Sequence, residues 1–266
     1  MTALSRATVG SVLVALLLLT AGCNGGSPTT TAPPSTTTPG ETTTPGGTTT
    51  TPSEAFPAGF SDGGITGDAA TVIDGHYATL NDTSYTAGYL VNRQGQSEQG
   101  SYQVDHAAGA ALARQVPSGQ PAIEAYTADR GETVYQATLE PGNTTYQQGS
   151  LSFAAFHSRS RPAIAIQSFE FVNWTYDGTT TEDGTELLVY TATEVDTSER
   201  GNIDPARISE LDGRMVVTRE GRITEFQWSA TVDEESPVVY EYSVSEIGTT
   251  TVPEPEWLSD AQEQTG

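Results

Sequence analysis

The chain has 266 residues and carries 11 basic side chains, all arginine, against 34 acidic ones, a formal charge of −23. Nucleic acid binding needs a basic patch to meet phosphate, so this balance argues against it. With one cysteine, Cys23, the chain cannot form an internal disulfide.

An apolar stretch runs from Val9 to Gly22, with an unbroken core over Val12–Leu19 and Arg6 in front of it. A bilayer span needs about 20 residues, so this segment is short for one. It fits a secretory signal peptide over residues 1–22: a weakly basic start, an apolar centre, then small residues before a cleavage point. Ala21-Gly22 before Cys23 resembles the lipobox of secreted lipoproteins, in which the cysteine is lipidated and becomes the new amino terminus. Thr20 stands where the usual pattern has leucine. The expected localisation is therefore the extracellular face of the cytoplasmic membrane, with the lipid on Cys23 as the membrane contact; an uncleaved amino-terminal helix is the alternative and leaves the same domain outside.

Residues 23–54 are dominated by Thr, Pro and Gly, with "TTTP" at 36–39, 42–45 and 49–52. Such a segment has too little apolar surface to offset the entropy of ordering, and it reads as a disordered tether. Fully extended it reaches roughly 90 Å; as a flexible coil, about 30 Å. Threonine with proline also suits an O-glycosylated stalk. Removal of Arg6 with the signal leaves 10 arginines against 34 acids, a mature charge of −24. An acidic surface without lysine suits very high salt, where repulsion is screened over about 3 Å. A calcium-binding module is the rival explanation, but the acids are scattered and no EF-hand loop occurs.

Residues 55–266 fit one domain. In "TGDAATVIDGHYATL" the positions Ala69, Val72, Ile73, His76, Tyr77 and Leu80 recur at spacings of three and four, which predicts an amphipathic helix capped by Thr66 or Asp68. Strand-like alternation follows in "TSYTAGYLV", "SYQVD", "IEAYTA" and "ETVYQATL", then in "TELLVYTATEV" and "SPVVYEYSV". Between the early and late strands, "LSFAAFHSRSRPAIAIQSF" breaks the alternation and predicts one or two short helices or a lid-like loop. Turn chemistry marks Asp129-Arg130-Gly131, Asp183-Gly184, Asp212-Gly213 and Glu220-Gly221. The clearest hairpin joins Met215–Thr218 to Ile223–Ala230. Ten of the 11 tyrosines fall in strand-like segments, which favours a large antiparallel sheet.

The order of helix, strands, helical insertion and further strands resembles the lipoprotein-carrier and lipoprotein-sorting (LolA/LppX-like) superfamily. That resemblance implies an α+β fold: a strongly curved antiparallel sheet, an incomplete β-barrel, packed on an N-terminal helix and a central helical insertion and lining an apolar cavity. More closely, residues 56–261 resemble a haloarchaeal cell-surface lipoprotein family of unknown function, through "FPAGFSDGGIT", the His76 helix, "NWTYDGTTTEDGTELLVYTAT", "VTREGRITEF" and "VPEPEWLSDA". The family supplies no catalytic residues.

No G-x-S-x-G, H-E-x-x-H, P-loop or G-x-G-x-x-G motif occurs, and neither a catalytic residue nor a cofactor or metal is expected. His76 reads as a packed or rim histidine. His106 and His157 lie apart in sequence without ligand-like spacing and read as surface or loop residues. The basic cluster "HSRSRP", residues 157–162, suits pairing with neighbouring acids or contact with an anionic headgroup or glycan. Asn81, Asn143 and Asn173 begin N-x-T sequons; Asn143, in a Pro-Gly-Asn turn, is the best candidate for glycosylation, while Asn173 lies where a strand could shield it.

Two partner classes follow. One is an apolar ligand, a lipid or isoprenoid, held in a cavity bordered by Phe226, Trp228, Tyr240 and Tyr242. Strand alternation puts each pair on one face, and pairing of the two strands joins all four rings. The other is an envelope or surface-layer protein met without any small ligand, in which case the same rings fill an ordinary core. An extracellular hydrolase is a third, weaker reading. A continuous apolar space of about 300 Å³ or more between sheet and helices would favour the ligand.

Overall fold

The computed structural model describes residues 56–66, 68–93, 95–162, 172–195, 207–233 and 237–266. The signal segment, Cys23, the tether and residues 163–171 of the expected central insertion lie outside them.

A short hairpin of β1 (Phe60–Ser61) and β2 (Gly64–Ile65) leads into α1 (Ala69–Ala78). The helix starts where the sequence provides a cap: Asp68 accepts the Thr71 amide at 2.8 Å. Its apolar stripe is buried as the three-four spacing requires, with Val72 and His76 fully enclosed and Leu80 just beyond the last turn.

The remaining strands form one open antiparallel sheet. Six follow α1: β3 (Tyr85–Arg93), β4 (Gln96–Asp105), β5 (Ala110–Pro117), β6 (Ala122–Thr127), β7 (Thr133–Leu139) and β8 (Thr145–Ser150). Then come α2 (Phe153–Ser160), β9 (Val172–Glu182), β10 (Thr185–Val195), β11 (Ile208–Thr218), β12 (Ile223–Val232) and β13 (Val238–Ser245). The order across the 11-stranded sheet is β8-β7-β6-β5-β4-β3-β13-β12-β11-β10-β9. It is two meanders, β3–β8 and β9–β13, joined where the first strand of one pairs with the last strand of the other. All pairings are antiparallel, and the outer strands β8 and β9 are not joined to each other, so the sheet is not a closed barrel.

Turns come where the turn residues predicted them. Asp183 and Gly184, both at positive φ, form the two-residue β9–β10 connection, with Glu182 opposite Thr185. Asp129 and Arg130 take positive φ between β6 and β7, and Gly221 does so between β11 and β12. Asp212-Gly213 departs from expectation. These residues lie inside β11 at a register shift against β12, not in a turn. Gly213 is there for space: a Cβ on it would lie 3.1 Å from the Trp174 ring and 3.0 Å from the Ala192 methyl. Composition reads Asp-Gly as a bend, whereas here the glycine lets an indole cross a bulged strand.

Direct pairing sorts the sheet into two faces. Tyr85, Ala87, Tyr102, Val104, Met215, Phe226, Trp228 and Tyr242 share the inner face, against which α1 and α2 are buried in one apolar core. The outer face is polar at its centre, but at the β6–β8 end it carries a smaller apolar cluster. There α3 (Leu258–Thr265) and the preceding Trp257 pack on Tyr126 and Ala137. Trp257 Nε1 donates to Glu124 Oε2 at 2.7 Å, and the other Glu124 oxygen lies 3.2 Å from Arg114. This third helix was not expected from the sequence. Among the described residues no helix is long and apolar enough to cross a membrane.

Candidate functional site: the inner aromatic face

The four rings singled out in the sequence meet as two cross-strand pairs. Phe226 is opposite Tyr242, and Trp228 is opposite Tyr240. The two pairs have different surroundings. Phe226 and Tyr242 are 1% and 5% exposed and form the floor under α1. Trp228 and Tyr240 stack with centroids 5.2 Å apart and planes at 16°, and Tyr240 remains half-buried. The Arg93 guanidinium lies 4.9 Å from the centroid of the Tyr240 ring. Around this end of the inner face Tyr89, Val91 and Val238 are also only half-buried.

His76 fixes α1 to the floor. Its Nδ1 accepts the Ile223 amide at 3.0 Å, so the ring proton sits on Nε2, which lies 3.0 Å from the Tyr242 hydroxyl and donates to it. Burial, reinforced by Arg161 and Arg222, pushes the imidazole down to about 3, so it is neutral. Burial likewise raises the Tyr242 hydroxyl well above the usual phenol range. This is the packed histidine the helix pattern predicted.

His106 and His157 correct the sequence reading. The fold brings their rings to 5.1 Å in an edge contact, and His157 is 7% exposed. His157 stacks on Phe153 and its Nδ1 lies 2.8 Å from the Tyr102 hydroxyl, which is itself fully buried. Burial, then His106 and Arg161, push His157 down to about 4. Their separation in sequence hid this: β4 ends beside His106, while α2 crosses the same corner of the sheet and delivers His157. The buried Tyr85 hydroxyl and both Nε2 atoms have no partner among the described residues. No group of three or more His, Cys, Asp or Glu side chains among the described residues could hold a metal ion.

Of the cluster at 157–162, Arg161 lies over the Tyr77 ring at 3.7 Å instead of pairing with a described acid. Asn81, Asn143 and Asn173 are all exposed, and Asn173 is on the outer strand β9. The shielding expected at Asn173 does not occur.

The outer face has its own concavity, about 640 Å³, over the sheet centre. Gly88 and Ser101 lie within it, and Arg114, Val116, Arg214 and Glu241 border it. Its lining is mixed, and Arg214 pairs there with Glu225. It is not the apolar space between sheet and helices that would favour a ligand, since it lies on the other side of the strands.

A family model for DUF7537, a family of unknown function, matches residues 8–261. The chain belongs to DUF7537. No curated protein matches it. Among solved structures, this DUF7537 chain is similar to LprF from Mycobacterium bovis at 13% identity and a TM-score of 0.36, covering 73% of this chain and 99% of that one. It is similar to the lipoprotein LppX of Mycobacterium tuberculosis at 12% identity and a TM-score of 0.29, covering 70% and 98%. A third similar structure is the MucA/MucB complex of Pseudomonas aeruginosa, at 12% identity and a TM-score of 0.30, covering 75% of this chain and 62% of that one.

Proposed function

We propose that this DUF7537 protein is a non-enzymatic, lipid-anchored extracellular protein of a haloarchaeon that holds an apolar or amphiphilic ligand against its inner aromatic face. The anchor is Cys23 and the stalk is residues 23–54. One observation carries the ligand: the inner face is unevenly filled. Phe226, Met215 and Tyr242 are sealed under α1, whereas Tyr89, Val91, Val238 and the stacked Tyr240 on the same face are half-buried. Half-buried aromatic and branched side chains gathered on one face are the lining an apolar ligand uses. A specific observation favours the second reading, an envelope interaction module: the outer concavity of about 640 Å³ presents arginine, glutamate and glutamine side chains suited to a polar protein surface.

The test uses protein from its native host. An organic extract should contain a co-purifying apolar molecule, and Trp228→Ala should lower its yield. That substitution also removes a 7%-exposed indole, so it should cost about 3 to 5 kcal/mol in urea unfolding. Tyr240→Ala, at a half-buried ring, should lower the yield as well while costing much less stability. A clean extract from the wild type rejects the ligand and leaves the interaction module.

The anchor has its own test. Cys23→Ser should release the domain into the medium or leave an unprocessed precursor, and mass spectrometry of the mature terminus of the wild type should find lipid on Cys23. An unmodified terminus elsewhere contradicts the lipoprotein reading.

A further inference from the structure

With 11 arginines among 34 acids, a guanidinium in this protein ordinarily has a carboxylate within reach. On the sheet surface it does: Arg114 pairs with Glu124, Arg207 with Asp233, Arg214 with Glu225 and Arg219 with Glu186. Arg93, Arg130 and Arg161 instead lie over the rings of Tyr240, Phe153 and Tyr77. Arg161, directly after α2 and part-exposed, has its guanidinium carbon 3.7 Å from the Tyr77 ring centroid and makes no ion pair with any described residue. Stacking engages the face of a guanidinium and leaves its in-plane N–H donors available, the geometry in which arginine grips a carboxylate or phosphate through two oxygens.

The surroundings suit an acceptor. Tyr85, 1% exposed, and His157, 7% exposed, each keep one polar atom without a partner among the described residues. Burying such an atom unpaired carries a desolvation penalty that a bound acceptor relieves. Tyr77, under Arg161, touches His76 of α1, whose ring meets Tyr242 of β13, while Tyr85 of β3 and Tyr102 of β4 meet each other and His157 of α2. The Arg161 charge acts on His76, Tyr85, Tyr102, His157 and Tyr242. Asp82 and Asp105 act on His106, whose ring touches His157, and Arg130 opposes them there. In a chain of charge −23 this corner gathers two guanidinium groups, Arg161 over Tyr77 and Arg130 over Phe153, the ring on which His157 stacks.

We infer that this corner receives the acidic headgroup, phosphate or carboxylate, of an amphiphile whose chain lies along the inner aromatic face. Arg161 is the anion-binding residue; the Tyr85 hydroxyl and the His157 imidazole are its hydrogen-bonding neighbours. The inference rests on the ligand-binding reading above and adds the chemistry of the ligand's polar end.

The experiment uses the full chain in molar sodium chloride, loaded with the neutral dye Nile red. Lysophosphatidic acid and the monoacylglycerol of the same acyl chain are compared as displacers. The wild type should prefer the acid by about tenfold or more, the scale of a charge-assisted bidentate contact. Arg161→Gln should abolish the preference while the monoacylglycerol still displaces the dye, and Arg161→Lys should restore part of it; circular dichroism confirms that each variant is folded. Equal displacement by both lipids, or a preference unchanged in Arg161→Gln, overturns the headgroup site and leaves apolar binding intact. Displacement by neither overturns the ligand reading and this site with it. Inorganic phosphate alone should leave the thermal midpoint unmoved; a shift equal to that given by lysophosphatidic acid assigns the corner to free anions and overturns the amphiphile.

Discussion

Transfer from molar to millimolar salt should unfold much of this domain. Among the described residues, four arginines make ion pairs with carboxylates. Over the whole chain 34 acids stand against 11 arginines, so most of the negative charge has no positive charge to balance it. At 1 M salt their repulsion dies away within about 3 Å, less than a side-chain contact; at 0.01 M it extends about 30 Å and spans the domain. A loss of about 4 kcal/mol would lower the melting temperature of a domain this size by roughly 8–16 °C. Circular dichroism followed from 3 M to 0.01 M sodium chloride measures it. A midpoint that stays level across that range would refute the halophilic reading.

The second large effect is acid lability through His76. In the unfolded chain this imidazole titrates near 6.5; in the folded protein it is pushed down to about 3. Between those values the unfolded state carries a proton that the native state excludes, so stability falls as pH drops below 6.5 and the loss continues towards 3. The slope is about 1.4 kcal/mol per pH unit while both conditions hold. His157, held down to about 4, adds in the same direction. Protonating surface carboxylates works the other way by relieving repulsion, so the comparison must be between variants at constant molar salt. His76→Asn keeps an acceptor for the Ile223 amide but cannot take up a proton. It should start less stable at pH 7.5, and its urea midpoint should fall less steeply between pH 6.5 and 5 than that of the wild type. Parallel slopes would show that His76 does not govern the acid response.

How far the sequence could be read depends on the range of the forces involved. α1 was legible down to its cap, because spacing along one helix and the Asp68 side chain are local properties. The β11–β12 hairpin and the pairing of Phe226 and Trp228 with Tyr242 and Tyr240 followed from alternation plus a short turn. β5, "AALARQVP", has too weak an alternation to be noticed and is a strand because β4 and β6 flank it. α3 is brief, and only Trp257, Leu258 and Ala261 of its end of the chain are buried; nothing local says they rest on the outer face. The His106–His157 contact and the stacking of Arg161 on Tyr77 depend on side chains from distant segments sharing a corner, and no spacing rule reports that.

The joint between the two meanders sets the timetable on which this molecule can be completed. Every neighbouring pair in the sheet comes from adjacent strands except β3 with β13, whose residues lie about 150 positions apart in the case of Val91 and Tyr240. A chain emerging amino terminus first can therefore assemble β3–β8 early, but must hold β3 with one side unpaired until the last strand arrives. The floor beneath α1 is equally late, because Tyr242 and Ile223, which hold His76, belong to the final fifth of the sequence. Closing such a distant contact is slow compared with forming a hairpin. The long interval leaves an open strand edge exposed to aggregation or to a chaperone, and a chain that stops short of β13 yields two separate half-sheets with no shared inner face.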